Sequence, residues 1–262
     1  MKRYEGFAIY SDVDNTLLTK DWGIPKRNLD ALAYFVEEGG RFALATGRGP
    51  TKRTFDLLEK LPMINSPCIL LNGGLLYDSQ KREPIVFYAL PEELYTTVMQ
   101  ISREYPHWPI TICTQNDRYQ IGPSVEEQVK AEKIENIPLP WGKLLFHVPE
   151  EKRLDTMEWL RRKELFGSDV TASDTTLVEI VPHGVSKGAA LEEVIARYGL
   201  VRAKVAAIGD YLNDLNMLSV AGIRTFCPQN AAPEIKAVCE HTVCAVQDGA
   251  LADAIELLGK EP

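Results

Sequence analysis

Two aspartates stand two residues apart in "YSDVDNTLLT", residues 10–19, just after the apolar run Phe7-Ala8-Ile9. Alternate side chains of an extended chain share a face, so Asp12 and Asp14 project together beyond the end of a strand. Carboxylates that close repel one another unless a cation lies between them or one keeps a proton. A second acidic pair, Asp210 and Asp214 in "GDYLND", follows the apolar run Val205–Ile208 and opens a helix, where residues four apart share a face. Each pair alone reads as a turn or a helix cap, because short acids bond backbone N–H groups and complement the helix dipole. Two such pairs on one sheet edge require a cation. Carboxylate oxygens suit a hard divalent ion, Mg2+ above all; His107, His147, His183 and His241 are too scattered to offer a softer site.

An anion seat is also written into the chain. Thr46-Gly47-Arg48 follows "RFALA" and precedes a helix, so a hydroxyl and backbone N–H groups face whatever lies beyond the strand end. By itself this reads equally as an ordinary threonine cap with Pro50 near the helix start. Lys187, in "GVSKGAALEEV", begins a helix; a lysine there opposes the dipole and wants an anionic partner, the plainer alternative being a solvated surface side chain.

These residues are only useful if a fold brings them together, and the periodicity supplies one. Short apolar runs at Phe7–Tyr10, Phe42–Ala45 and Cys68–Leu71 read as strands. Helical spacing of Leu29, Leu32, Ala33 and Val36, and a helix through about Lys60, separate them. The same rhythm returns late, with a helix carrying Ala190, Leu191, Val194, Ile195 and Tyr198, a strand at Val205–Ile208 and a helix at Leu212–Leu218. Short strands near Ile223–Phe226 and Thr242–Cys244 precede a last helix from Gly249 to Leu258. Alternating β and α predicts a parallel sheet, an α/β, Rossmann-like core, whose ligands bind beyond the carboxyl ends of its strands. Asp12, Thr46, Asn72 and Asp210 all fall at such ends. Between 84 and 182 the pattern becomes β-α-β-β, with strands at Val86–Ala89, Ile110–Cys113, Tyr119–Ile121, Leu144–Val148 and Val178–Val181 and helices at Pro91–Tyr105 and Glu150–Lys163. The expected organisation is a core of residues 1–83 and 183–262 with an inserted α+β domain at 84–182.

The 262 residues are 45% hydrophobic and 25% charged with a net charge of −8, and no Lys/Arg-rich stripe provides for nucleic acid. Five cysteines without C-x-x-C spacing fit a reduced compartment. Met1-Lys2-Arg3-Tyr4-Glu5 runs straight into the first strand with no leader, and no apolar stretch approaches the roughly 20 residues of a membrane span. The expectation is a cytoplasmic chain with no membrane or nucleic-acid partner; nothing in the sequence speaks to oligomeric state.

"DVDNTLL", "LATGR", "GVSKGAAL" and "GDYLNDLNML" together resemble the four ordered motifs of the haloacid dehalogenase-like (HAD) phosphatases. The large insert between the second and third resembles the Cof-type members, which carry an α+β cap there, and "NGG" at 72–74 and "DGALADAIELL" are similar to that family as well. The resemblance implies Asp12 as nucleophile, giving an aspartyl-phosphate, and Asp14 as acid for the leaving alcohol and then base for water. It implies Thr46, Gly47, Lys187 and Asn213 around the phosphoryl group. Mg2+ would be held by the Asp12 carboxylate, the Asp14 carbonyl and Asp210, with Asp214 behind them. The cap would exclude water and choose the leaving group. Two positions depart from the family pattern: Asn15 stands where glycine is usual, and Tyr211 where a small residue is. The implied reaction is hydrolysis of a small phosphorylated metabolite, a sugar phosphate being the substrate class the resemblance suggests.

Three other readings compete. A phosphosugar mutase would use the same aspartate, and a non-catalytic phosphosugar-binding protein would not need both Asp12 and Asp14. "GVSKG" is also G-x-S-x-G, with Asp210 or Asp214 and then His241 following Ser186 in the order of a serine esterase, but this leaves the acidic pairs and "TGR" without a role.

Overall fold

The computed structural model describes residues 2–125 and 129–260. Its contacts divide the chain into two units: residues 1–47, 57–85 and 186–262, and residues 48–56 with 86–185. The chain begins in the first unit with β1 (Ala8–Ser11), α1 (Lys26–Glu37) and β2 (Arg41–Leu44). α2 (Lys52–Glu59) starts among the residues of the second unit and ends in the first, β3 (Cys68–Leu70) and β4 (Leu75–Asp78) belong to the first, and β5 (Glu83–Phe87) runs from the first into the second. The second unit contributes α3 (Leu94–Glu104), β6 (Ile110–Thr114), β7 (Arg118–Ile121), β8 (Lys130–Ala131), β9 (Trp141–His147), α4 (Arg153–Arg161), β10 (Asp169–Asp174) and β11 (Leu177–Val181). The first unit resumes with α5 (Lys187–Tyr198), β12 (Val205–Ile208), α6 (Leu215–Leu218), β13 (Arg224–Pro228), α7 (Pro233–Lys236), β14 (His241–Val243) and α8 (Ala250–Leu258).

The five-stranded sheet of the first unit has the order β14-β13-β12-β1-β2, and every pairing is parallel. A bridge from Ala45 to Ile69 aligns β3 beside β2. β1 and β12 are buried along their whole length, which is why they read as unbroken apolar runs rather than as alternation. The chain leaves β1 toward β2 through α1 and later steps the other way, through α5 and α6, to β12 and β13. Right-handed crossovers in opposite directions put helices on both faces, and α1 accordingly packs on α8 and α5 on α6. The strand order reverses between β1 and β12, the place where doubly wound sheets open a crevice.

In the second unit a six-stranded sheet runs β10-β11-β9-β6-β7-β8, antiparallel except for the β7–β8 pair. One face packs its apolar residues, Ile110, Ile112, Leu144, Phe146, Val178 and Ile180, with Leu94, Val98 and Ile101 of α3 and Leu160 of α4. The alternate positions carry Thr111, Lys143 and Glu179, and a buried ion pair joins Lys143 Nζ to Glu179 Oε1 at 2.7 Å.

The predicted parallel α/β sheet and the α+β character of the insert are both present. Four elements escaped the periodicity. β4 follows a reversal at Asn72-Gly73, whose backbone is left-handed, and lies where the periodicity assigned no element. β8 has two residues, too few for a pattern, and β10, "DVTASD", has a single buried apolar residue to betray it. α7 is one short turn. The helix expected at Leu212–Leu218 is tighter at its start, a 3-10 turn over Leu212–Asp214. No helix among the described residues is long and apolar enough to cross a membrane.

Close helix packing fixes where α5 begins. A Cβ placed on Gly188 would lie 2.3 Å from the Asn216 carbonyl oxygen of α6. Gly188→Ala is expected to lose about 1–3 kcal/mol by overpacking, read from the midpoint of urea unfolding.

Candidate active site

The aspartates of the site follow strand ends, and its lysine opens a helix. Asp12 directly follows β1, and its N–H donates to the Ile208 carbonyl at 2.9 Å, clamping it to the end of β12. Two residues past that end stands Asp210. Its carboxylate accepts from Thr16 Oγ1 at 2.9 Å, so the turn after β1 holds the acid that follows β12. Asn15 makes that turn with φ 57°, a left-handed backbone that asparagine tolerates, and Asn230 Nδ2 donates to its carbonyl at 3.0 Å. Asp214 folds back along its 3-10 turn: its Oδ2 accepts from the backbone N–H groups of Asp210 and Tyr211 at 3.0 and 3.2 Å. Gly209 makes room for this, since a Cβ there would lie 2.5 Å from the Asp214 carboxyl carbon.

Lys187 enters from the first position of α5, where Ser186 caps the helix by accepting from the Ala189 N–H at 3.1 Å. Its side chain is fully buried. Nζ donates to Asp12 Oδ1 and to Asp214 Oδ1, both at 2.6 Å. The adverse helix-dipole position is thus answered by two carboxylates. Burial works against the Lys187 charge, but Asp12 and Asp214 outweigh it and hold the ammonium above its usual range. One ammonium cannot neutralise three buried aspartates. Burial pushes the Asp12 carboxyl well above its ordinary range against the pull of Lys187. Burial, and then the neighbouring Asp214 charge, push Asp210 up to about 7.

That negative excess is what a cation would remove. Asp12, Asp210 and Asp214 each place a carboxylate oxygen within 4.8 Å of the others, an all-oxygen donor set suited to a hard divalent ion such as Mg2+. Both Asp214 oxygens already accept hydrogen bonds. Asp12 and Asp210 each retain an oxygen that accepts none among the described residues. Asp12 and Asp210 could therefore hold the ion directly, with Asp214 behind them. The Asp14 carboxylate is outside this trio; it is half-buried in the same turn, close enough that its charge adds to the rise at Asp210.

On the other side, Thr46 follows β2, next to β1. It is buried, its N–H donates to Ile69 and its carbonyl accepts from the Asn72 N–H. Gly47 comes next, and Asn213 Nδ2 donates to Asn72 Oδ1 at 3.3 Å. Asp12, Lys187, Asp210 and Asp214 thus form one bonded cluster, while Thr46, Gly47 and Asn213 are tied through Asn72. The sequence offered Thr16 and Asn72 without roles: the bond from Thr16 to Asp210 spans 194 residues, which no local pattern reveals. The structure lends the esterase reading no support: Ser186 caps a helix, His241 stacks on Phe226, and no hydrogen bond joins the two among the described residues.

The profile of the haloacid dehalogenase-like hydrolases matches residues 9–255. The chain belongs to this family. A 5-amino-6-(5-phospho-D-ribitylamino)uracil phosphatase of Bacillus subtilis is 27% identical over 87% of this chain and 90% of its own length. An HMP-PP phosphatase of Yersinia pseudotuberculosis is 27% identical over 86% of this chain and 84% of its own. The solved structure of a haloacid dehalogenase-like hydrolase from Bacteroides thetaiotaomicron is 25% identical and has a TM-score of 0.85, covering 96% of this chain and 99% of that one. The chain is a HAD hydrolase with phosphatases among its relatives.

If the aspartate trio of this HAD hydrolase takes up a divalent ion, the ion must displace the Asp210 proton. At pH 6 a carboxyl titrating near 7 is mostly protonated, so Mg2+ titration should give an affinity about tenfold weaker there than at pH 8.

Proposed function

We propose that the chain hydrolyses a small phosphate monoester through an aspartyl-phosphate on Asp12, with Mg2+ bound by Asp12, the Asp14 carbonyl and Asp210. The observation that carries this reading is the Lys187 ammonium 2.6 Å from both Asp12 and Asp214 inside a cluster of three buried aspartates. Such a pocket fixes the Asp12 carboxylate with the ammonium and leaves a negative excess for a divalent ion to offset, and that compensation would let an anionic substrate approach.

Asp12 attacks phosphorus, a new P–O bond forms, and the bond to the leaving alcohol breaks as Asp14 gives that oxygen its proton. Water then attacks phosphorus, Asp14 takes the proton, and the acyl-phosphate bond breaks to free Asp12 and inorganic phosphate. Thr46, the Gly47 N–H, Lys187 and Asn213 hold the phosphoryl oxygens throughout. When bound, Mg2+ supplies charge stabilisation for the phosphoryl oxygens. The substrate class we favour is a phosphorylated sugar or sugar-alcohol chain, supported by the phospho-D-ribityl group in the name of the Bacillus relative's substrate. Substrate choice is assigned to the inserted α+β unit, the role the family resemblance implies for it.

The test is release of p-nitrophenol from p-nitrophenyl phosphate and p-nitrophenyl acetate, each with Mg2+ and with EDTA. Metal-dependent phosphate hydrolysis is expected, abolished by Asp12→Ala and by Asp14→Ala. Ser186→Ala should keep its turnover and lose about 1 kcal/mol of stability through the missing helix cap. Metal-independent acetate cleavage that disappears in Ser186→Ala would overturn the reading.

A further inference from the structure

The turn after β3 is strained in a way its sequence does not require. Leu71 and Asn72, consecutive non-glycine residues, both adopt left-handed backbone, with φ of 54° and 56°, and both are buried. Asparagine tolerates this conformation; a leucine with positive φ is a true outlier, and such strain persists only where its surroundings impose it. What the conformation achieves is contact with three separate parts of the site. The Asn72 N–H donates to the Thr46 carbonyl at 3.0 Å. Its carboxamide lies against Gly47: a Cβ there would come within 2.9 Å of Asn72 Oδ1 and 3.2 Å of Nδ2. The same Oδ1 accepts from Asn213 Nδ2 at 3.3 Å. Gly73, with φ 104°, brings the turn onto the residue before Lys187, since a Cβ there would sit 2.3 Å from the Ser186 carbonyl oxygen.

We infer that Asn72 is a positioning residue for phosphoryl binding. Its carboxamide fixes the Gly47 backbone N–H and the Asn213 amide in one arrangement, so that donors from two strand ends converge on the same phosphoryl oxygens. This rests on the phosphatase reading above and extends it to a residue outside the aspartate trio. Gly47 must lack a side chain for the carboxamide to lie there, and Asn72 must be able to adopt a left-handed backbone. Both conditions are met by the residues present.

Asn72→Gly keeps the left-handed backbone and removes only the carboxamide, so it separates position from fold. With Mg2+ present, the KM for p-nitrophenyl phosphate and the inhibition constant of inorganic phosphate are each expected to rise about tenfold, the worth of one charge-assisted hydrogen bond. Mg2+ affinity should stay within about twofold of wild type, because no metal-binding carboxylate is touched. The double variant Asn72→Gly with Asn213→Ala should be no worse than Asn213→Ala alone, as expected when two residues act through one contact. Asn72→Asp keeps the shape and the acceptor for Asn213 but puts a negative charge beside the anion seat; it should also raise KM, and it serves if the glycine variant does not fold. An unchanged KM and phosphate inhibition in the folded variant, or multiplicative losses in the double variant, overturn the assignment of Asn72 alone. A wild-type chain that turns over no phosphate monoester overturns the reading beneath it.

Discussion

Lys187 sits where its charge is most costly, without solvent and at the positive end of its own helix, and it stays charged because Asp12 and Asp214 each lie 2.6 Å away. Removing one member of a buried ion pair typically costs about 3–5 kcal/mol, because the partner is left uncompensated. Three aspartates sharing one ammonium are therefore both a commitment of the fold and an unfinished charge balance. The remaining negative charge is what makes the site receptive to a divalent cation, and the cation in turn makes it receptive to a phosphate dianion. The proposed chemistry follows from that sequence of charge compensations more than from any single residue.

Holding such a cluster together needs backbone that cannot drift. The parallel sheet provides it by ending β1, β2 and β12 at one edge, with the Asp12 N–H bonded across to Ile208 and Thr46 laced to Ile69 and Asn72. Glycines then set the distances. Gly209 admits the Asp214 carboxylate, Gly188 lets α5 approach α6, and Gly47 admits the Asn72 carboxamide, each with a would-be Cβ closer than 3 Å to its neighbour. These contacts belong to the first unit alone, so the charged cluster is a property of the α/β core.

Much of this was legible in the sequence because the fold puts its chemistry at strand ends, and strand ends are visible as apolar runs giving way to polar motifs. Asp12, Thr46 and Asp210 could be found that way without any knowledge of their contacts. Lys187 was legible as an electrostatic anomaly at a helix start. Other features were not. The bonds from Thr16 to Asp210 and from Asn213 to Asn72 join residues far apart in the chain, and nothing local marks them. Asp214 was expected on a helix face shared with Asp210, whereas its carboxylate turns back onto the Asp210 and Tyr211 N–H groups, a cap geometry that spacing alone does not distinguish. β10 was missed because its residues are mostly polar and only half-buried, and β4 because a glycine-rich reversal looks the same before a loop as before a strand.

The most direct test of the account is chemical. The protein, turning over a phosphate monoester with Mg2+, would be quenched in acid within milliseconds, reduced with borohydride to fix any acyl phosphate, and mapped by peptide mass spectrometry. The account predicts modification at Asp12. Phosphate found on Ser186, or turnover with no aspartate modified in the same sample, would contradict it.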